Sequence, residues 1–127
     1  MEIQQSPREA HAIQTYTDHD ITVAGIVYCT STLITPSLII TDWSVRSIHD
    51  VQLMSLQDIL PEQPEVIIMG HAERHMPHPA LIAALHAKRI GIECMAIGAA
   101  CRTFNILLGE SRRVILGFIP NAVPPAH

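Results

Sequence analysis

The segment Gly98-Ala99-Ala100-Cys101-Arg102-Thr103 combines residue types that could do chemistry. It follows a predicted strand and begins a predicted helix, where the first backbone N–H groups have no partner inside the helix. Together with the Arg102 guanidinium, these groups would attract an anion and would lower the pKa of the Cys101 thiol. The segment therefore predicts an anion- or small-molecule-binding site or, as an alternative, a thiol enzyme that uses Cys101.

A structural role is the simpler interpretation of Cys101. At helical spacing it shares an apolar face with Phe104 and Leu108, and free cysteines commonly pack as small apolar side chains. Asn105 lies one turn later, and we expect its amide to satisfy backbone groups between the helix and the sheet. We assign no catalytic residue; the candidate cleft or ligand-binding residues are Gly70, His71, Gly98, Cys101, Arg102, Thr103 and Asn105.

A second group of candidate ligands lies between a predicted strand and a predicted helix. Imidazole and carboxylate groups at this spacing can bind zinc, and the group comprises His71, Glu73, His75 and His78. No second ligand pair at a recognised spacing accompanies them. A polar loop in which His78 caps the following helix explains them equally well, so we assign neither a metal nor another cofactor.

Composition limits the classes of partner. The chain has 12 acidic and 8 basic residues, and its aromatic residues are one Trp, two Tyr and two Phe, which is a poor set for binding phosphates or stacking on bases. Nucleic acid is therefore not an expected partner. The pair Arg112 and Arg113 could form a recognition patch, but we interpret it as solvated surface ahead of an edge strand.

The second half of the chain predicts a βαβ core. Residues 66–69 form a continuous apolar run typical of a buried strand, and a helix begins at Pro79, with Lys88 and Arg89 at its end and Gly91 as its stop. A strand over 92–95, a helix over 99–108 and a strand over 113–119 follow. Because ligands in open α/β sheets bind beyond the carboxyl ends of the strands, we expect a cleft between Gly70 and Gly98.

The first half of the chain is rich in strand signals. Residues 21–28, 33–34 and 38–43 predict an antiparallel meander, and residues 54–60 predict a short helix. Residues 21–41 lack formal charges, but their threonines, serines and Pro36 favour strands over a transmembrane span. We expect one α/β domain over 20–119, with a flexible tail over 1–19 and a Pro-rich tail over 120–127.

The stretches Gly91-Ile92-Glu93-Cys94-Met95, Ala99 to Leu108 and Arg112-Arg113-Val114 resemble the C-terminal signature of a family of unknown function. That family contains small bacterial and archaeal α/β proteins and the mitochondrial assembly factor 3 of NADH:ubiquinone oxidoreductase, respiratory complex I. The resemblance runs from about residue 16 to residue 119. It implies a three-layer fold with a central mixed sheet, a β-rich N-terminal layer and an antiparallel last strand, and it implies no established enzymatic activity.

The resemblance and the residues together predict a non-catalytic interaction or assembly-factor-like protein. It would assist assembly of a membrane-associated respiratory complex and use Arg102 at the centre of its recognition surface. Three cysteines without a CxxC pair indicate a reducing compartment, and the polar N-terminus lacks the apolar core of a secretory signal, so we expect a cytoplasmic protein. We expect protein partners, no transmembrane segment, and a monomer or small homo-oligomer.

Overall fold

The fold consists of two β-sheets, two α-helices and several 3₁₀ helices, and the computed structural model describes residues 7–72 and 76–121. The strands are β1 (Ile13–Tyr16), β2 (Ile21–Val23), β3 (Ile26–Tyr28), β4 (Thr32–Ile34), β5 (Ile39–Ile40), β6 (Val66–Gly70), β7 (Gly91–Met95) and β8 (Val114–Phe118). The α-helices are α1 (Pro79–Ala87) and α2 (Ile97–Gly109). The 3₁₀ helices are Pro7–His11, Ile48–Asp50, Leu53–Leu56 and Leu60–Glu62.

A mixed sheet of five strands, the main sheet, lies at the centre in the order β5-β4-β8-β6-β7. Strand β6 pairs in parallel with β7 on one side and with β8 on the other, so that Val66 is level with both Gly91 and Val114. Residues 67–70 and the whole of β8 are buried, as the continuous apolar runs predict for strands covered on both faces. The predicted βαβ core is confirmed.

The last strand differs from its predicted direction. Strand β8 is antiparallel to β4, but it is parallel to the βαβ strands β6 and β7, so the antiparallel expectation is wrong for that core. The reason is the turn after α2: the Arg112 N–H donates to the Leu107 carbonyl, and this bond reverses the chain directly behind the helix. Strand β8 is also central, so Arg112 and Arg113 do not precede an edge strand.

A second sheet, the N-terminal sheet, contains β1, β2 and β3 in antiparallel order. Residues 21–28, predicted as one segment of an antiparallel meander, form a hairpin, because Ala24 and Gly25 both have positive φ and close a two-residue turn between Val23 and Ile26. The predicted start of the folded domain at residue 20 is too late, since β1 pairs with β2. Residues 1–6 and 122–127 of the predicted tails lie outside the described residues.

A separate hydrophobic core covers each face of the main sheet. The main sheet and the elements packed on its two faces form the three predicted layers. One core lies between the main sheet and α1 with the 3₁₀ helices, and it includes Trp43, Ile67 and Leu85. The other lies between the main sheet and α2 with the N-terminal sheet, and it includes Ile21 and Phe104. The helix α2 contacts β6, β8 and β1, so it holds the two sheets together.

The helix ends differ from the sequence prediction in detail. The expected helix over 54–60 is two 3₁₀ helices, Leu53–Leu56 and Leu60–Glu62. Helix α1 ends before Gly91, and the chain turns at Arg89, whereas α2 includes Gly109 and turns at Ser111. In the part of the chain that the structure describes, no helix combines the length and the apolar character that crossing a bilayer requires.

Candidate functional site

Helix α2 contacts β1 through the partly buried Asn105. The Asn105 Oδ1 accepts a hydrogen bond from the Ile13 N–H at 2.7 Å, and its Nδ2 donates to the Ile13 carbonyl at 2.9 Å. One side chain thus satisfies both polar groups of a residue in an edge strand, because amides carry a donor and an acceptor side by side. This confirms the expectation that the Asn105 amide pairs with backbone groups.

Arg102 lies one turn before Asn105 and joins Tyr16 at the end of β1. Its Nη1 donates to the Tyr16 hydroxyl at 2.6 Å, and its Cζ lies 5.9 Å from the centroid of the tyrosine ring. A Cβ placed on Gly98 would lie 3.0 Å from the Tyr16 ring and 3.2 Å from the Arg102 Nη1. The first turn of α2 is therefore covered by an ordered pair of side chains, both of which still reach solvent.

We call this area the Arg102 surface and define it by Tyr16, Arg102 and Ile106. Ile106 follows Arg102 by four residues on the same side of α2. The exposed fraction of Ile106 is 62%. Sequence reasoning missed Tyr16 because it assigned that residue to a tail. The β-branched and aromatic residues of Ile13-Gln14-Thr15-Tyr16 are a weak sequence signal for a strand.

Cys101 faces the opposite side of α2 and is fully buried in the core with Phe104 and Leu108. Burial raises the pKa of the Cys101 thiol to about 12, and the nearby Arg102 charge lowers it by less. The thiol is therefore protonated at neutral pH and is closed to solvent. The structure agrees with a packed structural cysteine.

The remaining candidates contact different neighbours. Gly70 ends β6 in contact with α2, since a Cβ placed there would lie 2.9 Å from the Ala100 Cβ, whereas Gly98 faces Tyr16.

His71 is buried directly after β6, and its N–H donates to the Met95 carbonyl. The Thr103 hydroxyl lies 3.5 Å from the Met95 sulfur. Packing thus occupies much of the space in which the sequence predicts a cleft.

The loop proposed as a metal site is only partly described. Glu73 and His75 lie outside the described residues. His78 is the N-cap residue of α1 but makes no side-chain capping bond, and its ring lies 6.5 Å from that of His49. Over residues 7–72 and 76–121, no three His, Cys, Asp or Glu side chains are grouped so that they could hold a metal ion.

A basic area at the opposite end of the main sheet contains the pair Arg112 and Arg113, which the sequence analysis interpreted as solvated surface. Glu65, just before β6, accepts from the Arg112 Nε at 2.9 Å and from the Arg113 N–H at 3.3 Å. These bonds hold the pKa of the Glu65 carboxyl below its usual value, mainly through the Arg113 N–H and then the Arg112 side chain. The search along the carboxyl ends of the strands could not find this area, because it lies at their amino ends.

Two curated relatives cover nearly the whole chain. The protein is 25% identical to the Xenopus tropicalis "NADH dehydrogenase (ubiquinone) 1 alpha subcomplex assembly factor 3" over 97% of this chain and 68% of that protein. It is 26% identical to the Mus musculus protein of the same name over 94% of this chain and 64% of that one. The chain therefore spans about two thirds of the length of these relatives.

The fold is shared with solved bacterial structures. A Xanthomonas campestris protein determined by NMR is 30% identical, with a TM-score of 0.83 over 98% of this chain and 95% of that one. The family model described as "Protein of unknown function (DUF498/DUF598)" matches residues 13–119. Because this match includes every strand from β1 to β8 and both α-helices, the chain belongs to the DUF498/DUF598 family.

Proposed function

We propose that this protein is a non-catalytic binding partner that assists assembly of a membrane-associated respiratory complex, and that it binds its protein partner through the Arg102 surface. The observation that carries the proposal is the fixed position of an exposed arginine: the Arg102 guanidinium is held against Tyr16 by a hydrogen bond and by the ring face. Arginine and tyrosine are among the residue types that most often dominate binding energy at protein interfaces.

The Arg102 surface has the order that recognition requires. Both elements that carry it are fixed to each other by the two bonds between Asn105 and Ile13. Because Arg102 and Tyr16 already contact each other, less side-chain entropy is lost on binding than for two free side chains. Exposed Ile106 adds apolar area beside the charge, so the surface offers the mixture of anchors found at the centres of interfaces.

The names of the relatives supply the cellular context. Two vertebrate relatives are named as assembly factors of NADH dehydrogenase (ubiquinone), which supports an assembly role for a chain that covers 68% and 64% of them. A cytoplasmic location is part of the proposal and rests on the three free cysteines. Burial of Cys101 removes the main support for the alternative of a thiol enzyme.

The test is a replacement experiment in cells of the source organism that lack the chromosomal gene. The cells receive the wild-type chain, Arg102→Ala, or the control Arg46→Ala, which removes an exposed cation outside α2 and β1. The amount of assembled NADH:ubiquinone oxidoreductase is measured in their membranes by native electrophoresis and by NADH oxidation.

We expect the deletion to reduce the assembled complex, wild type and Arg46→Ala to restore it, and Arg102→Ala to fail although its protein level is normal. Full assembly in the deletion strain would contradict the assembly role. Full restoration by Arg102→Ala would leave the assembly role intact and would contradict the assignment of the binding surface.

A further inference from the structure

We propose that the amino end of the main sheet holds a binding site for a small ligand that carries phosphoryl groups. A cavity of about 380 Å³ opens there, between the turns that lead into β6, β7 and β8. Lys88, Arg89 and Arg113 line it, together with the half-buried Glu65 and the buried Ile90. This site is separate from the Arg102 surface, which lies near the start of α2, and the inference is independent of the proposed function.

The cavity concentrates positive charge in an acidic protein. The chain has a net charge of −4 and only 8 Lys and Arg residues, yet Lys88, Arg89, Arg112 and Arg113 meet at this one end of the sheet. Glu65 offsets part of this charge by pairing with Arg112 at 2.9 Å and with Arg113 at 3.7 Å. Lys88 and Arg89 form no salt bridge with the residues that the structure describes.

The two arginines that line the cavity differ in how they are held. The Arg113 Nε donates to the Gln63 carbonyl at 2.7 Å, which fixes the guanidinium at the rim, and its Nη1 lies 3.7 Å from the Glu65 Oε1. Arg89 also lines the cavity, and its backbone position is fixed by the hydrogen bonds at the end of α1. Arginine presents a planar fork of donors that matches phosphate oxygens, so a cavity lined by two arginines suits a phosphoryl ligand.

The backbone of Arg89 supports a role for its side chain. Helix α1 ends in a Schellman motif, in which the Arg89 N–H donates to the His86 carbonyl and the Ile90 N–H to the Leu85 carbonyl. Arg89 takes the left-handed position of this motif with φ of 62°, where glycine is the favoured residue. Gln63, which also lines the cavity, has φ of 54°. Two residues that line the cavity are thus held in left-handed conformations that residues other than glycine seldom adopt.

The number of cations indicates the class of ligand. Three cations line one cavity whose lining carries a single carboxylate, so a ligand with more than one negative charge fits better than a monocarboxylate. A phosphate monoester carries between about one and a half and two negative charges at neutral pH. The cavity volume is in the range of small-molecule sites, and its apolar residues such as Ile90 would contact the organic part.

The experiment titrates inorganic pyrophosphate into the full chain at low ionic strength and follows backbone amides by NMR. We expect the largest shifts at residues 63–65, 88–91 and 112–113, and smaller effects from succinate at the same concentration. Arg89→Gly should weaken pyrophosphate binding about tenfold, the loss typical of one charge-assisted hydrogen bond. The same substitution should raise the melting temperature, because glycine suits the left-handed conformation.

Ser111→Gly is the matched control. Ser111 occupies the equivalent position after α2, with φ of 60° and the same pair of hydrogen bonds, but it does not line the cavity. It should raise the melting temperature and leave pyrophosphate binding unchanged. Lys88→Gln provides a second loss of binding without a change in backbone strain.

Vesicles that contain phosphatidylglycerol distinguish the source of the phosphate. Vesicle binding that pyrophosphate competes away and that Arg89→Gly weakens would assign the site to a lipid headgroup. Pyrophosphate binding without vesicle binding would assign it to a soluble ligand. Unchanged affinity in both Arg89→Gly and Lys88→Gln, equal binding of succinate, or shifts centred on Arg102 would each overturn the proposal.

Discussion

Asn105 on α2 binds both backbone polar groups of Ile13 on β1, a residue 92 positions earlier in the chain. Strand β1 is an outer strand of the N-terminal sheet, and its other neighbour is β2. The asparagine therefore acts in place of a further strand at this edge. It links the N-terminal sheet to the βαβ core and fixes the side of α2 that carries Arg102.

Removal of this link should destabilise the protein. Asn105→Ala leaves the Ile13 N–H and carbonyl without their protein partner in a partly buried position, and a lost partner of this kind costs about 1–3 kcal/mol. The free energy of unfolding from urea denaturation measures the loss. Hydrogen exchange should show faster opening of β1 than of β6, because β6 keeps both of its neighbours.

The neighbouring residue provides the control for Asn105. Ile106→Ala changes an exposed side chain of the same helix and should alter stability by less than about 0.5 kcal/mol. Asn105→Asp keeps the acceptor for the Ile13 N–H but places a second acceptor against the Ile13 carbonyl, so it should also be less stable than wild type. If Asn105→Ala proved as stable as Ile106→Ala, the amide would not hold β1.

The βαβ core could be predicted from the sequence because its signals are local. A continuous apolar run defines β6, and Pro79 marks the start of α1. The direction of β8 could not be predicted in the same way. It depends on how the turn at Ser111 closes behind α2, and a serine in a left-handed conformation gives no sequence signal that glycine would give.

The candidate site was predictable only where one element determined it. The pairing of Asn105 with backbone and the burial of Cys101 follow from their positions on α2. The contact between Arg102 and Tyr16 joins residues 86 positions apart, so no local pattern contains it. The basic cavity likewise forms from three turns that are distant in sequence. The sequence of each turn alone is typical of polar surface.

The close contact between β6 and α2 makes Gly70 intolerant of a side chain. In Gly70→Ala the new Cβ would lie 2.9 Å from the Ala100 Cβ and 3.4 Å from the Ile97 Cα, and neither neighbour is the end of a flexible side chain. Overpacking of this kind costs about 1–3 kcal/mol. Thermal and urea unfolding should both show the loss.

Gly91→Ala is the matched control for Gly70→Ala, because a Cβ at Gly91 meets its nearest atom at 3.7 Å, an ordinary contact distance. Ala100→Gly removes the atom that obstructs the new Cβ. The double variant Gly70→Ala with Ala100→Gly should therefore lose less stability than the sum of the two single changes. Additive losses would mean that the contact between Gly70 and Ala100 is not the cause.

The turn between β2 and β3 should be improved by one substitution. Ala24 has φ of 51°, and Gly25 has φ of 80°, which is the pattern of a type I′ turn that favours Asn followed by Gly. Ala24→Asn should raise the free energy of unfolding by about 0.5–1 kcal/mol. Gly25→Ala should lower it by a similar amount through conformation alone, since no atom lies within 4 Å of the added Cβ. A gain from both changes would contradict the left-handed turn.

The three thiols should differ sharply in reactivity in the native protein. Cys29 is exposed, Cys94 is half-buried and Cys101 is buried. Burial raises the pKa of Cys94 to about 11 and that of Cys101 to about 12, so at pH 8 only about one Cys101 thiol in ten thousand is ionised. A disulfide reagent at pH 8 should therefore modify one thiol rapidly, and all three should react in guanidinium.

Cys29→Ser assigns the rapid thiol, because it should abolish the fast phase and leave the slow ones unchanged. Raising the pH to 9 should increase the ionised fraction of Cys101 about tenfold, yet its modification should remain slow because the sulfur is closed to solvent. Rapid modification of Cys101 in the folded Cys29→Ser variant would mean that α2 opens readily from the sheet. The thiol-enzyme alternative would then regain its physical basis.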